Sequence, residues 1–386
     1  SFRDLVIQTR ENDLVGATFG RGFWILDDYS PLRHVSAKQL EQEATLFPVK
    51  DALWYIPKLT LGDFTEGGKA SQGDAFYVAP NPPFGAVFTY YLKDGYLTKQ
   101  EQRRKAEKKL AKESEDTPYP GWDALRLEET EEPPAIVLTV SDMEGQVVRK
   151  IEGPVKPGFH RVAWDLRYPL SSPWTANPET SEYINIPGPL AAPGTYRVSL
   201  AKRINGQLMS LGEPREFTVT PMRERGLQGA TPEEVVAFGL RLDDLNRQVS
   251  GAGASIATLL TETSAIKDTM QRSSAPESLR EQARTLELEL LALQQTLQGN
   301  KKRSLYSDEG PVSIAQRLQF AVMGTFRSTY GPTPSHLRSV EIAETDFATV
   351  KSRIQSITDS DLPDVRRQLD EAGVPWTPGR GVPGRG

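Results

Sequence analysis

The sequence contains no cysteine in its 386 residues, which excludes disulfide bonds, thiol catalysis and cysteine-ligated metal sites. It also has no excess of positive charge, because 46 Lys and Arg are outnumbered by 51 Asp and Glu. A net charge of −5 provides no global positive field, so neither nucleic acid nor an anionic membrane is an expected partner. No apolar run approaches the length of a transmembrane helix, so we expect no membrane span.

Catalytic and metal-binding signatures are equally sparse. The three histidines, His34, His160 and His336, fall in three different predicted segments, and none has the spacing of a metalloprotease motif. The pattern on a strand places His160 beside Val162 and Trp164, which favours a hydrogen-bonded histidine over a metal ligand. A nucleophile elbow and a phosphate-binding loop are both missing. We therefore expect no metal and no cofactor.

Asp27 and Asp28 are the one pair of carboxylates that suggests glycosidase chemistry. A glycosidase needs two carboxylates about 5 to 10 Å apart that face one cleft. Adjacent residues of a strand point to opposite faces, so this pair does not meet across a sugar. We expect both residues to end a strand and to satisfy turn amides, and we assign no catalytic residue.

The first 28 residues have the pattern of short β-strands. Leu5–Ile7 and the run from Leu14 are β-rich, and a third run at Phe23–Leu26 follows two glycines at which the backbone can bend. Two or three strands cannot bury both of their faces alone. Since the chain also opens at Ser1 rather than at Met, we expect it to be the C-terminal portion of a longer protein.

Residues 84–222 have the period of two that is typical of β-strands, with short apolar runs separated by Gly and Pro turns. Asn205-Gly206 is a strong signal for a two-residue hairpin. Six or seven short strands favour an immunoglobulin-like β-sandwich. A charged insertion at about 94–134 interrupts it, and the capping-box spacing of Thr98 and Glu101 predicts a surface helix there. Acidic runs follow the basic one closely, so we interpret the insertion as a solvated helix and not as a nucleic-acid surface.

Residues 223–374 have a helical period. A capping box at Thr231–Glu234 begins the first helix, which we expect residues 250–253 to interrupt. Leucines between Leu279 and Leu297 repeat at a and d spacing, which predicts a helical hairpin or bundle and a candidate surface for homo-oligomers. Residues 375–386 are predicted to form a flexible tail.

Several motifs, taken in order, resemble one family. They occur at 13–28, 82–92, 157–167, 192–196 and 369–380, and together they resemble the C-terminal part of large bacterial sortilin-like, BNR-repeat β-propeller proteins, which are often classified as glycosyl hydrolases. The resemblance covers nearly the whole chain. One departure is Phe19, where the family commonly has His, so any role of that His is not carried over.

The resemblance implies a multidomain β plus α fold with a propeller remnant at 1–48, an irregular linker at 49–83, the sandwich and the helical region. It implies that the propeller-closing motif is structural, with Arg21 pairing to a neighbouring blade and Trp24 filling the inter-blade core. The residues of this motif are Gly20, Arg21, Gly22, Trp24, Asp27 and Asp28.

For function, the resemblance implies an exported, extracytoplasmic protein whose propeller recognises peptides or glycans at its mouth. We expect this chain to be non-catalytic, to complete the propeller and to supply docking and assembly domains. Its expected partner is the N-terminal propeller portion of the same protein, in the same or a separate chain. Two alternatives stay open: an accessory part of a glycosidase-like hydrolase whose active site lies on the missing N-terminal blades, and a structural component of the cell envelope.

Overall fold

The computed structural model describes residues 2–20, 22–57, 73, 75, 79, 81–171, 187–223, 226–306 and 310–382. Arg21, most of the predicted linker and residues 383–386 of the predicted tail lie outside this part. The protein is a mixed α and β chain that divides into two units. The first unit comprises Ser1–Tyr168 and Ala191–Gly226, and the second comprises Pro169–Leu190 and Leu227–Gly386.

The first unit begins with a three-stranded antiparallel sheet. Its strands, in spatial order, are β1 (Phe2–Gln8), β2 (Asp13–Thr18) and β3 (Gly22–Leu26). Two single-turn helices follow, α1 (Ser30–Arg33) and α2 (Ala37–Leu40).

Two further sheets make up the rest of the β-structure among the described residues of the first unit. Their strands are β4 (Ala44–Leu46), β5 (Ala52–Trp54), β6 (Ala86–Leu92), β7 (Ala135–Ser141), β8 (Val147–Gly153), β9 (Gly158–Trp164), β10 (Gly194–Ile204), β11 (Gln207–Ser210) and β12 (Arg215–Pro221). One sheet has the order β5-β12-β10-β7-β8 with β11 paired to β10, and the other has the order β4-β6-β9. The β5–β12 pair is parallel, whereas the other pairs are antiparallel.

An aromatic core joins these two sheets. The Trp164 ring of β9 packs edge-on against Tyr196 of β10 at 5.1 Å and against Phe217 of β12 at 6.2 Å between centroids. Phe88 of β6 also meets Phe217, at 5.5 Å. All four side chains are buried. Because Phe88, Trp164 and Tyr196 come from three of the motif stretches, those stretches converge in one core.

Two short sequence motifs in this unit form the structures that they predict. The hairpin predicted at Asn205-Gly206 is confirmed, with both residues at positive φ of 50° and 77° between β10 and β11. The predicted surface helix is α3 (Lys99–Lys112), which has the capping box of Thr98 and Glu101 and no buried residue. It pairs with α4 (Trp122–Glu129), and Arg103 donates to both carboxylate oxygens of Glu128.

The second unit is helical in its described part. Its helices are α5 (Pro232–Met270), α6 (Glu277–Gln298), α7 (Lys301–Leu305), α8 (Ile314–Thr325), α9 (Pro334–Ser356) and α10 (Leu362–Glu371), with a π-helical turn at Ile357–Asp361 before α10. Apolar faces of α5, α6, α8, α9 and α10 share one core. None of the described helices combines the length and the apolar character that crossing a membrane requires.

The predicted interruption of the first long helix is wrong. Helix α5 runs without a break through residues 250–253. Gly253 serves packing instead, because a Cβ added to it would lie 2.5 Å from the amide nitrogen of Gln298 on α6. Glycine therefore lets the end of α6 approach the middle of α5.

The leucine stripe of α6 is not the exposed surface that a role in self-association needs. Leu279, Leu286, Leu290 and Leu297 are buried in the core of the helical unit, at 7 % exposure or less. The a and d spacing marks the contact of α6 with its own neighbouring helices.

The prediction of a loose tail is wrong for residues 375–381. The Arg380 side chain is only 2 % exposed and is hydrogen-bonded to Asp370 and, at 3.1 and 2.8 Å, to the carbonyls of Val374 and Pro375. The Trp376 indole N–H donates to the Arg380 carbonyl at 3.0 Å. These bonds hold the end of the described chain against α10.

Candidate functional site

The N-terminal sheet exposes apolar side chains on both of its faces. Cross-strand partners share a face, so Leu5, Gly16 and Trp24 lie on one side, and Val6, Val15 and Ile25 lie on the other. The first face also carries Ile7, Leu14 and Leu26, and the second also carries Ala17 and Phe23.

Exposure is high for the apolar side chains of the two outer strands, β1 and β3, whereas the residues of β2 are half-buried or buried. Trp24 is 64 % exposed on the first face, and Phe23 and Ile25 are 76 % and 61 % exposed on the second. The sheet cannot bury this surface by itself, because three strands have too little material to cover two faces. Contiguous exposed apolar surface of this kind marks an interaction site.

Hydrogen bonds fix the turn that follows β3. The Asp28 carboxylate accepts the Ser30 amide at 3.2 Å and the Ser30 hydroxyl at 2.6 Å, and the Asp13 carboxylate accepts the Asp28 amide at 2.9 Å. Asp28 itself has a φ of +39°, in the left-handed region. Asp28 therefore caps a turn, and its carboxylate is engaged locally rather than facing Asp27 across a cleft.

Arg161 ties this turn to the remainder of the first unit. Its guanidinium, on β9, donates to the carbonyls of Asp27 and Asp28 at 2.6 Å each. Sequence reasoning missed this contact, because the partners are more than 130 residues apart and Arg161 carries no local signal.

A second attachment lies at the β1–β2 turn. The Lys50 ammonium donates to the Glu11 carboxylate at 2.5 Å and to the Glu11 carbonyl at 3.0 Å. The hydrogen bond from Lys50 holds the pKa of Glu11 below its ordinary value of 4.5. Arg161 and Lys50 together orient the sheet through its turns while leaving its faces bare.

The glycines of the propeller-closing motif form the β2–β3 turn. Gly20 and Gly22 have φ of +75° and +88°, a conformation that side chains with a Cβ rarely adopt. Arg21, between them, lies outside the described residues. Phe19 is 73 % exposed and stacks under the Arg3 guanidinium at 5.0 Å.

The three histidines have separate environments. His34 is exposed after α1, and the half-buried His160 has its Nε2 2.6 Å from the Lys156 carbonyl. The buried His336 accepts the Thr333 amide through Nδ1 at 3.2 Å, in a capping box at the start of α9. No group of three or more His, Asp or Glu residues in the described ranges is placed to hold a metal ion.

A groove lies between α8 and α9 in the helical unit. It has a volume of about 660 Å³ and is largely open to solvent. Its lining residues are Val312, Gln316, Arg317, Phe320, Pro334, Ser335, Arg338, Ser339 and Ile342. The sequence pattern did not indicate this groove, since it depends on how two helices pack.

Comparison of the chain with family models, with curated proteins and with solved structures finds no match.

Proposed function

We propose that this chain is the C-terminal part of an exported, sortilin-like β-propeller protein and that it carries no catalytic centre of its own. In this proposal, residues 2–26 complete the closing blade of the propeller. The remaining domains act in docking and assembly, for recognition of peptides or glycans by the whole protein.

The observation that carries the proposal is that the N-terminal sheet has exposed apolar side chains on both of its faces. An inner sheet of a propeller is packed between a blade on each side, so both of its faces must be apolar. A strand that only docks on a globular surface needs one apolar face and keeps the other polar. Leu5 with Trp24 and Val6 with Ile25 supply apolar surface on opposite faces, as a blade between two neighbours requires.

The attachments of the sheet support the same role. Arg161 and Lys50 hold it by its turns, so its faces stay accessible to neighbouring blades. The β1 and β3 strands each have one edge that pairs with no other described strand, and a further strand can add there to complete a four-stranded blade.

The proposal interprets the two sheets that share the Trp164 core as an immunoglobulin-like sandwich. Two sheets built around buried aromatic side chains, with short hairpins between strands, support that interpretation.

Photo-crosslinking in the cells that make the protein tests the proposal. A photoreactive amino acid is placed at Leu5 or at Val6, which are both 58 % exposed and lie on opposite faces. We expect each position to crosslink to a β-rich segment of a propeller, with a different segment reached from each face. The same amino acid at the exposed Lys38 of α2 serves as the control and is expected to give neither crosslink.

Two outcomes contradict the proposal. Crosslinks from Leu5 and Val6 to residues 2–26 of a second copy would show that the sheet pairs with itself. Crosslinks from one face alone would show a docking strand and not a blade.

A further inference from the structure

The groove between α8 and α9, called here the α8–α9 groove, has two cationic side chains in its wall. Arg317 comes from α8 and Arg338 from α9, and none of the nine lining residues that the structure describes is acidic. Such a wall attracts an anionic group.

Neither arginine forms a strong ion pair with a described residue. Arg338 meets Glu341 at 3.2 Å, but the two side chains are 72 % and 53 % exposed, so this pair contributes little. The Nε of Arg317 is buried and has no hydrogen-bond partner in the described part of the chain. A buried donor without a partner is uncommon and calls for a reason. Arg317 lines the groove and forms no ion pair with a described residue, so its guanidinium can pair with a carboxylate that a ligand brings.

Four of the other lining residues are apolar, whereas Gln316, Ser335 and Ser339 are polar. Phe320 is 51 % and Val312 is 56 % exposed, and Pro334 and Ile342 lie on the α9 side. A ligand that fills the groove therefore needs apolar side chains next to its carboxylates.

The open shape of the groove favours a peptide over a small molecule as its ligand. Small-molecule sites commonly bury about 70–90 % of the ligand surface. The α8–α9 groove is largely open to solvent, so it cannot enclose a ligand to that extent. Grooves between helices bind peptides by this geometry, with apolar anchors and charged flanks.

We infer that the α8–α9 groove binds a peptide segment in which carboxylates alternate with apolar side chains. Arg317 and Arg338 pair with the carboxylates, while Phe320 and Val312 contact the apolar side chains. The inference rests on the docking role proposed above for the helical unit. Its test involves no residue of the N-terminal sheet, so failure of one proposal is distinguishable from failure of the other.

The test is fluorescence polarisation with the full chain and a labelled six-residue peptide, Glu-Phe-Glu-Leu-Glu-Phe. Two matched peptides replace either every Glu by Lys or every apolar residue by Ser. We expect saturable binding of the first peptide only, and weaker binding as salt concentration rises.

Variants locate the binding. Arg338→Gln and Arg317→Gln are each expected to weaken binding by at least about fivefold, because each removes a charge-assisted hydrogen bond. The control is Arg327→Gln, since Arg327 lies over the Phe326 ring at 5.0 Å, does not line the groove, and loses the same charge. It is expected to leave affinity unchanged.

Because Arg338 is exposed, its replacement leaves the core intact, and weaker binding of this variant cannot be attributed to misfolding. Circular dichroism checks the fold of each variant. Equal binding of the Lys peptide, no binding of the Glu peptide at 1 mM (about −4 kcal/mol), or equal affinities of Arg338→Gln and Arg327→Gln would each overturn the inference.

Discussion

Gly85 lies so close to the Trp164 carbonyl that a Cβ on the glycine would be 1.9 Å from the oxygen. This contact brings the start of β6 against the end of β9, beside the aromatic core. Gly85 also has a φ of +101°, a backbone conformation that other residues rarely adopt. Two separate constraints thus demand glycine at this position.

Gly85→Ala is expected to destabilise the first unit severely, because the added methyl group must displace the backbone of Trp164. Gly145→Ala is the matched control: Gly145 has a φ of +85°, but no atom lies within 4 Å of its added Cβ. We expect the control to lose only about 1 kcal/mol in free energy of unfolding. Urea unfolding followed by tryptophan fluorescence measures both, and equal losses would contradict this account of Gly85.

Replacing Trp164 by Ala is expected to lower the free energy of unfolding far more than replacing Trp24 by Ala. Trp164 is fully buried, so Trp164→Ala should lower the free energy of unfolding by about 3–5 kcal/mol. Trp24 is 64 % exposed, so Trp24→Ala should change it by about 0.5 kcal/mol or less in the chain alone. Urea unfolding of each variant measures the difference. A large loss for Trp24→Ala would show that the first face of the N-terminal sheet is already covered within this chain.

Arg161→Met is expected to loosen the N-terminal sheet without unfolding the rest of the first unit. The substitution removes the donors that hold the Asp27 and Asp28 carbonyls. Hydrogen exchange of the amides in β3 and the following turn should accelerate by about five- to tenfold, which corresponds to the 1–1.5 kcal/mol of such hydrogen bonds. Arg197→Met, which removes an exposed pair with Glu216, is the control. Unchanged exchange in β3 would show that Arg161 does not hold the sheet.

Acid is expected to weaken the helical unit through Glu287. The Lys267 ammonium donates to Glu287 at 2.6 Å, and this hydrogen bond holds the pKa of Glu287 below its ordinary value of 4.5. Because the folded-state pKa is the lower one, the stabilisation is fully present above about pH 4.5 and is lost as the pH falls through the folded-state pKa. Glu287→Gln should therefore cost about 1–3 kcal/mol at pH 7 and progressively less in acid.

Urea unfolding of wild type and variant between pH 7 and pH 3 measures this difference. Glu281→Gln, at an exposed position of the same helix, should show no such convergence. A penalty for Glu287→Gln that stays constant down to pH 3 would contradict the role given to its charge.

Local sequence signals predicted local structure well. The Asn205-Gly206 hairpin and the capping boxes at Thr98 and Thr231 depend on residues within a few positions of one another, and each forms as expected. Long-range packing was beyond such signals. The sequence wrongly predicts a break at residues 250–253, because the contact of Gly253 with Gln298 depends on how α5 and α6 pack.

For the candidate sites, too, the sequence predicted local features and missed long-range contacts. The pattern of β1–β3 indicated strands that cannot cover their own faces, and the exposed Trp24 and Ile25 agree with it. The attachment of those strands through Arg161 and the α8–α9 groove had no sequence signal. Both arise from residues that meet only after the chain has folded.

The central claim is that both faces of the N-terminal sheet are covered in the assembled protein, and cysteine accessibility tests it most directly. The chain has no native cysteine, so Trp24→Cys and Ile25→Cys each give a single thiol, one on each face. In the chain alone, we predict that both thiols react rapidly with a maleimide reagent. In the whole protein isolated from its source, we predict that both are protected. Rapid reaction of either thiol in the whole protein would contradict the assignment of residues 2–26 to a propeller blade.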